Sequence, residues 1–139
     1  MRTRIIFAVL MMITGEASPP WFGTWKLTTN SDRYKRVTSK IEPWEDGLKV
    51  TYEMVGTRGG VTHLEWRGKF DGRDYPIQGA DYVLTNAYTL VNDHSYQIVV
   101  KVDGAVAATT KVEFSPDGKN LTTVTTEKNV TTTAVYNKQ

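Results

Sequence analysis

The chain has 139 residues, enough for about one domain, and carries 17 Lys and Arg against 15 Asp and Glu, a formal net charge of +2. This near balance, without a long basic run, argues against a nucleic-acid partner. The sequence contains no cysteine, which excludes disulfides, thiol catalysis and thiolate metal sites.

The first 17 residues have the pattern of a secretory signal peptide. Arg2 and Arg4 supply the positive start, residues 5–13 are almost wholly apolar, and Gly15 and Ala17 are small residues at the positions that a signal peptidase reads. We expect cleavage after Ala17, export to the periplasm or the medium, and one domain formed by residues 18–139. A membrane-spanning helix needs about 20 apolar residues, roughly twice this stretch, so no membrane span is expected in the mature chain.

From Phe22 onward the sequence predicts β-structure. Short runs rich in Val, Thr, Tyr and Trp alternate with turn dipeptides such as Asp71-Gly72, and no window has the apolar spacing of an amphipathic helix. The predicted strands cover residues 22–29, 35–42, 48–55, 61–70, 73–78, 82–91, 95–102, 105–114, 119–127 and 130–137.

Connections this short make consecutive hairpins, and consecutive hairpins form an antiparallel up-and-down meander. An open meander would leave two unpaired edges, which promote aggregation, and closure into a barrel removes both edges. The sequence therefore predicts an all-β fold in which 8 to 10 strands close into one barrel.

The hairpin centred on Arg58 fixes which residues face inward. If Met54 opposes Thr62, one face collects the apolar and aromatic side chains and the other collects the charged ones. The predicted inner face contains Leu48, Val50, Tyr52, Met54, Leu64, Trp66 and Phe70. The predicted outer face contains Lys49, Thr51, Glu53, His63, Glu65, Arg67 and Lys69.

Two other regions are harder to align. For the hairpin at Asp103-Gly104 we expect a bulged three-residue loop, residues 102–104, because it sets Val100 against Val106 and Ile98 against Ala108 on one apolar face. The last two predicted strands are rich in Thr, which blurs the inner face, and their register stays unassigned.

The segment Gly23-Thr24-Trp25 resembles the opening strand of the calycins, which include lipocalins and fatty-acid-binding proteins. The resemblance implies a barrel in which Trp25 closes one end and the interior holds a ligand. Tyr136 matches the Tyr of the Arg-x-Tyr pair on that family's last strand. Ala134 stands in place of the Arg, so the resemblance does not extend to carboxylate binding.

The sequence also resembles a family of small secreted bacterial proteins. The shared segments are Gly-Thr-Trp-Lys-Leu, the run Phe70-Asp-Gly-Arg-Asp-Tyr-Pro76, the Asp117-Gly-Lys hairpin and the C-terminal Val135-Tyr136. This resemblance implies export and a barrel, and it implies no particular activity.

The candidate ligand-binding residues are the interior aromatic side chains and the methionine beside them: Tyr52, Met54, Trp66, Tyr96, Tyr136 and Tyr88. Two readings stay open: a cavity of roughly 300 Å³ or more that holds a small ligand, or a barrel filled by its own side chains. Tyr88 is the least certain of the set, because Val83 and Ala87 compete for the inside of the same strand.

Three further residues could carry catalysis. Glu53, His63 and Glu65 combine acids with an imidazole, as acid–base chemistry requires, but their alternation with Trp66 places them on the outer face. The sequence offers no metal site and no cofactor motif.

Three functions are compatible with these patterns. The first is an exported binding protein that holds a small apolar or amphipathic ligand. The second is an envelope structural or interaction protein with a filled barrel, which would act through a surface such as Trp44 at a hairpin tip. The third, and the one with least support, is a lyase or isomerase. The sequence does not determine the oligomeric state.

Overall fold

A computed structural model describes residues 18–139, and the predicted signal peptide lies outside these residues. The described chain forms ten strands: β1 (Gly23–Leu27), β2 (Tyr34–Trp44), β3 (Gly47–Gly56), β4 (Val61–Gly68), β5 (Tyr75–Gln78), β6 (Leu84–Asn92), β7 (Ser95–Val102), β8 (Ala105–Phe114), β9 (Asn120–Glu127) and β10 (Val130–Lys138). Each strand pairs antiparallel with the next one along the chain. The predicted all-β meander is confirmed.

Pairing between the first and last strands closes the barrel. Leu27 of β1 lies opposite Tyr136 of β10, and the Thr28 amide donates to the Val135 carbonyl at 2.8 Å. Because the sheet closes on itself, neither β1 nor β10 is left as an open edge.

The β3–β4 hairpin has the predicted register. Met54 lies opposite Thr62, Tyr52 opposite Leu64, and Glu53 opposite His63. The predicted separation of the two faces follows from this register, since His63 is exposed and Glu53 half-exposed, whereas Leu48, Val50 and Trp66 are buried in the barrel.

The turn between β7 and β8 differs from the prediction. Val102 pairs with Ala105, so only Asp103 and Gly104 form the turn. Both have positive φ angles, 50° and 84°, as a two-residue type I′ turn requires. The predicted three-residue loop is wrong. The Asp-Gly dipeptide forms the two-residue turn that it strongly favours, and an irregularity further along β8 brings the apolar residues back to the inner face.

That correction is a β-bulge within β8. Val106 pairs with Lys101 but Ala108 pairs with Val100, which leaves Ala107 without a partner across the ladder. The predicted pairing of Val100 with Val106 is therefore wrong by two residues. The extra residue exchanges the two faces of the strand: Val106 is 63% exposed, while alternate residues from Ala108 onward face the core.

The Thr-rich strands β9 and β10 are aligned over eight residue pairs, from Val130 with Glu127 to Asn137 with Asn120. Leu121 is buried, and Thr123 and Thr125 line the barrel interior. Tyr136 lies opposite Leu121 and also contributes to the interior.

Aromatic residues fill one end of the barrel. The Trp21 ring contacts the rings of Phe70, Tyr96 and Phe114 at centroid distances of 5.2, 5.9 and 6.2 Å. Trp25 is fully buried beside Phe114, and its Nε1 donates to the Trp21 carbonyl at 3.0 Å. We call this cluster the aromatic plug; its five residues are Trp21, Trp25, Phe70, Tyr96 and Phe114, and it closes the end of the barrel where the described chain begins.

Residues 18–139 include no helix long and apolar enough to cross a membrane.

Candidate functional site

Beyond the aromatic plug, the barrel encloses a partly open cavity of about 200 Å³. It is smaller than the roughly 300 Å³ expected from the sequence, because aromatic rings occupy much of the interior. Three groups of residues line it. The aliphatic group is Ile41, Val50, Ile98, Val100, Val112 and Leu121. The threonine group is Thr110, Thr123 and Thr125. The remaining polar group is Ser39, Tyr52, Asn86, Tyr96 and Tyr136.

Strand register explains why these side chains meet. Ser39, Tyr52 and Leu64 lie side by side across β2, β3 and β4, and the period of two along each strand keeps all three on the inner face. Asn86 reaches the same interior from β6. Tyr136 enters from β10 because the barrel closes.

The tyrosine hydroxyls form a polar group inside an otherwise apolar interior. The Tyr52 and Tyr88 hydroxyl oxygens are 3.4 Å apart and share a hydrogen bond. Among residues 18–139, the structure gives no hydrogen-bond partner to the hydroxyls of Tyr96 and Tyr136. These two hydroxyls are therefore free to bond to a molecule in the cavity.

Burial keeps these phenols protonated. Loss of solvation raises the pKa of Tyr96 well above its usual value, and it raises the pKa of Tyr136 to about 12. Burial also raises the pKa of Tyr52, although the hydrogen bond with Tyr88 partly opposes this effect. At neutral pH the phenols are uncharged groups that can donate as well as accept hydrogen bonds.

Asn86 is a polar side chain in the cavity wall whose buried carbonyl oxygen lacks a hydrogen-bond partner within the described chain. It is only 4% exposed, and its Oδ1 finds no hydrogen-bond partner among residues 18–139. Leaving a buried polar atom unpaired costs about 1–3 kcal/mol, so such atoms are rare and often mark function. An amide placed in the wall of a cavity is suited to orienting a ligand.

Trp66, a predicted binding residue, lies behind this wall. Its ring stacks on Tyr88 with a centroid distance of 4.0 Å, and its Nε1 donates to the Asn86 carbonyl at 3.0 Å. Trp66 and Tyr88 are buried and do not line the cavity. They contact Asn86 and Tyr52, which do line it, and so help to position these residues.

The remaining predicted binding residues divide as follows. Tyr52, Tyr96 and Tyr136 line the cavity. Met54 is half-buried between Val37 and Thr62, one layer further from the aromatic plug, and it does not line the cavity.

The acidic and imidazole residues lie on the outer face of the barrel. Glu53 Oε2 is 3.8 Å from His63 Nε2, and the side chain of His63 is 65% exposed. The Glu65 carboxylate accepts from Arg67 Nε at 2.8 Å. The solvent around these groups does not provide the sheltered pocket that acid–base catalysis needs. Residues 18–139 contain no cluster of three or more potential metal ligands.

Trp44 is half-buried at the tip of the β2–β3 hairpin, where the Arg67 guanidinium lies 5.8 Å from its ring centroid. This cation–π contact engages the ring within the chain itself.

A second depression, of about 300 Å³, lies beside the β8–β9 hairpin, and Phe114 is its one aromatic residue.

Sequence reasoning missed Ser39, Asn86 and the three lining threonines. The signal for Asn86 was present, because it alternates with Leu84 and Tyr88 along one strand. A polar residue on an apolar face is a recognisable marker of a buried polar site, provided that the inner face of that strand is known.

The chain matches no protein-family model, and no curated protein matches it in sequence. Its fold is similar to that of solved structures. One is a secretary abundant heat soluble (SAHS) protein from Ramazzottius varieornatus, with a TM-score of 0.65 and 14% identity over 88% of this chain and 98% of that protein. Another is a mutant of the fluorescent protein UnaG, with a TM-score of 0.60 and 16% identity over 86% of this chain and 96% of that protein. The likeness at these identities shows the fold alone: residues 18–139 share a closed β-barrel fold with both proteins, as the calycin resemblance of the opening strand implied.

Proposed function

We propose that this chain is an exported binding protein that holds one small apolar or amphipathic ligand inside its barrel. The observation that carries the proposal is the interior cavity with the unpartnered Asn86 amide in its wall. The hydroxyls of Tyr96 and Tyr136 add two groups in the cavity lining that can donate or accept a hydrogen bond. An aliphatic wall with a few convergent polar groups is typical of small-molecule sites.

The size of the cavity limits the ligand. Drug-sized ligands occupy pockets of about 300–1,000 Å³, whereas a buried cavity of about 150 Å³ is enough to hold benzene. A cavity of about 200 Å³ therefore suits a molecule built around one ring or a short branched chain. A long acyl chain does not fit without movement of the walls.

The two similar structures support the architecture of this proposal and not its ligand. One is described as heat soluble and the other as fluorescent. One fold therefore serves unlike purposes, and function has to be argued from the site. The proposal accordingly rests on the residues of this cavity.

Binding is tested by native mass spectrometry of the protein purified from exporting cells, before and after extraction with organic solvent. We expect a mass excess of one small molecule that extraction removes. Thr123→Phe places a ring in the cavity and should abolish the excess. Val124→Phe is the matched control, because the two residues are adjacent on β9 with side chains on opposite faces of the sheet. An excess that persists unchanged in Thr123→Phe would place the ligand elsewhere.

Export is tested separately by expressing the full chain in a bacterium and sequencing the N-terminus of the protein in each fraction. We expect periplasmic or secreted protein that begins at Ser18. Intact protein confined to the cytoplasm would contradict export and leave the binding proposal untouched.

A further inference from the structure

All fourteen residues that line the cavity are uncharged. From this observation we infer that the ligand is an uncharged, ring-sized molecule that bonds to the tyrosine hydroxyls and the Asn86 amide, and that carboxylates and ammonium ions of the same size are rejected. The inference rests on the proposed function. The cavity volume limits the size of the ligand, and the uncharged lining adds its chemical class.

The charged residues that adjoin the cavity residues in sequence point away from it. The alternation of the strands turns their side chains outward; they are Lys40, Lys49, Glu53, Lys101, Lys111 and Glu113. On this outer face Glu53 Oε1 lies 3.8 Å from Arg36 Nη2, and both side chains are exposed to solvent. These groups are solvated, so they offer little compensation to a charge on the other side of the wall.

The last strand, β10, contributes no charged side chain to the cavity lining. Ala134 lies opposite Thr123 and shares the inner face with Tyr136. Its methyl group carries no charge and no donor. A carboxylate in this cavity would lose much of its hydration without meeting a cation, which strongly disfavours its binding.

The groups that are present favour a neutral ligand with a hydrogen-bonding atom. The Tyr96 and Tyr136 hydroxyls are protonated and can donate to a hydroxyl, carbonyl or ether oxygen. Asn86 offers both a donor and an acceptor from a side chain that is 4% exposed. A neutral oxygen atom is desolvated at much lower cost than a carboxylate, and each new hydrogen bond then contributes to affinity.

Three probes of equal size test the inference: benzyl alcohol, benzoate and benzylammonium. Each contains one ring, and they differ in charge. Dissociation constants are measured at pH 7 by ligand-observed NMR on the protein purified from exporting cells, after solvent extraction. We expect benzyl alcohol to bind at least ~100-fold more tightly than either ion.

A pair of variants tests the role of the amide. Asn86→Leu keeps the branched shape and the number of non-hydrogen atoms and removes the polar group, so the affinity for benzyl alcohol should fall by about 2- to 10-fold while that for toluene is unchanged or improved. Thr85→Val is the matched control, because Thr85 is adjacent on β6 and does not line the cavity. Circular dichroism checks that both variants keep the barrel.

The outcomes separate the two proposals. If benzoate or benzylammonium binds as tightly as benzyl alcohol, the inference of a neutral ligand is wrong while interior binding stands. If the neutral probe binds but Thr123→Phe does not weaken it, the cavity is not the site and both proposals fail. If none of the three probes binds, the chemical class inferred here is wrong, and the co-purified mass decides whether a ligand is bound at all.

Discussion

The Trp66 side chain connects three strands of the barrel wall. It lies opposite Val50 of β3 and Ile77 of β5, and its ring stacks on Tyr88 of β6. Its Nε1 donates to the Asn86 carbonyl, so it also fixes the backbone that carries the cavity amide. A residue with these contacts acts on the site through the position of its neighbours.

We expect Trp66→Ala to destabilise the protein by about 3–5 kcal/mol, because it removes a fully buried ring and its hydrogen bond. The measurement is urea unfolding followed by circular dichroism. His63→Ala, on the same strand with an exposed side chain, should change the unfolding free energy by no more than about 0.5 kcal/mol. Equal losses in the two variants would mean that the inner and outer faces have been assigned incorrectly.

The buried tyrosines predict how stability depends on pH. In the unfolded chain a tyrosine ionises near pH 10, whereas burial raises the pKa of Tyr136 to about 12 in the folded protein. Between these values the unfolded state loses protons that the folded state retains, so stability falls as pH rises. Below pH 10 this contribution is fully present.

We therefore expect the unfolding free energy to decrease between about pH 10 and 12 in denaturant titrations at several pH values. Tyr136→Phe should reduce the slope in this range, because it removes one of the ionising groups. A slope that is identical in the variant would show that Tyr136 is not buried in the folded protein.

At the scale of single elements, the β7–β8 hairpin combines a tight turn with a bulge. The type I′ turn at Asp103-Gly104 sets the start of the pairing, and the unpaired Ala107 then shifts it by one residue. The turn residues adopt the conformation that they favour, and the bulge then places the apolar residues of β8 on the inner face. The two are compatible because they lie in different parts of the hairpin.

Gly104→Ala tests the turn. A Cβ at Gly104 would meet no atom within 4 Å, but the φ of +84° is strained for any residue with a side chain. We expect a loss of about 1 kcal/mol in unfolding free energy. Gly60 is the matched control, since its added Cβ also meets nothing and its φ is not positive. If Gly60→Ala costs as much as Gly104→Ala, backbone strain is not the cause.

The strand β5 is the weakest connection in the barrel wall. It has four residues, pairs with β4 at two positions and with β6 at two, and includes Pro76, which has no backbone N–H. The β3–β4 and β9–β10 pairs extend over eight positions each.

In hydrogen exchange followed by NMR or mass spectrometry, we expect the amides of Tyr75, Ile77 and Gln78 to exchange faster than those in the centre of β3 and β9. Slower exchange in β5 than in β3 would contradict this order.

At the scale of the whole molecule, one pair of strands decides whether the sheet has edges. β1 meets β10 although their residues are more than 100 positions apart, as the Thr28 to Val135 hydrogen bond illustrates. Pairing over such a distance is entropically costly, and the gain is a sheet without open edges.

We expect a chain that ends at Glu127 to form larger oligomers or aggregates, because deletion of β10 exposes the edges of both β9 and β1. Size-exclusion chromatography with light scattering measures this. Full-length Tyr136→Phe should elute as the unmodified protein does, which separates loss of the edge pairing from loss of the Tyr136 hydroxyl. A truncated chain that elutes as a folded species of unchanged oligomeric state would show that closure is dispensable.

The sequence by itself determined the strands and most of their pairing. Alternation such as Tyr52-Glu53-Met54 has a period of two, and turn dipeptides bound each run, so both signals are local and can be read without knowledge of the fold. It also determined that Glu53 and His63 lie outside. Where alternation was clear on both sides of a hairpin, the predicted register was confirmed.

Only the tertiary structure decided the bulge at Ala107, the register of the Thr-rich strands and the size of the cavity. The bulge depends on what the whole inner face gains, the threonines satisfy either face, and the cavity is the space left over after the rings of the plug have packed. These features arise from contacts among several strands at once, which no single stretch of sequence contains. The same holds for Asn86, whose residue type is plain in the sequence but whose lack of a partner depends on every group around it.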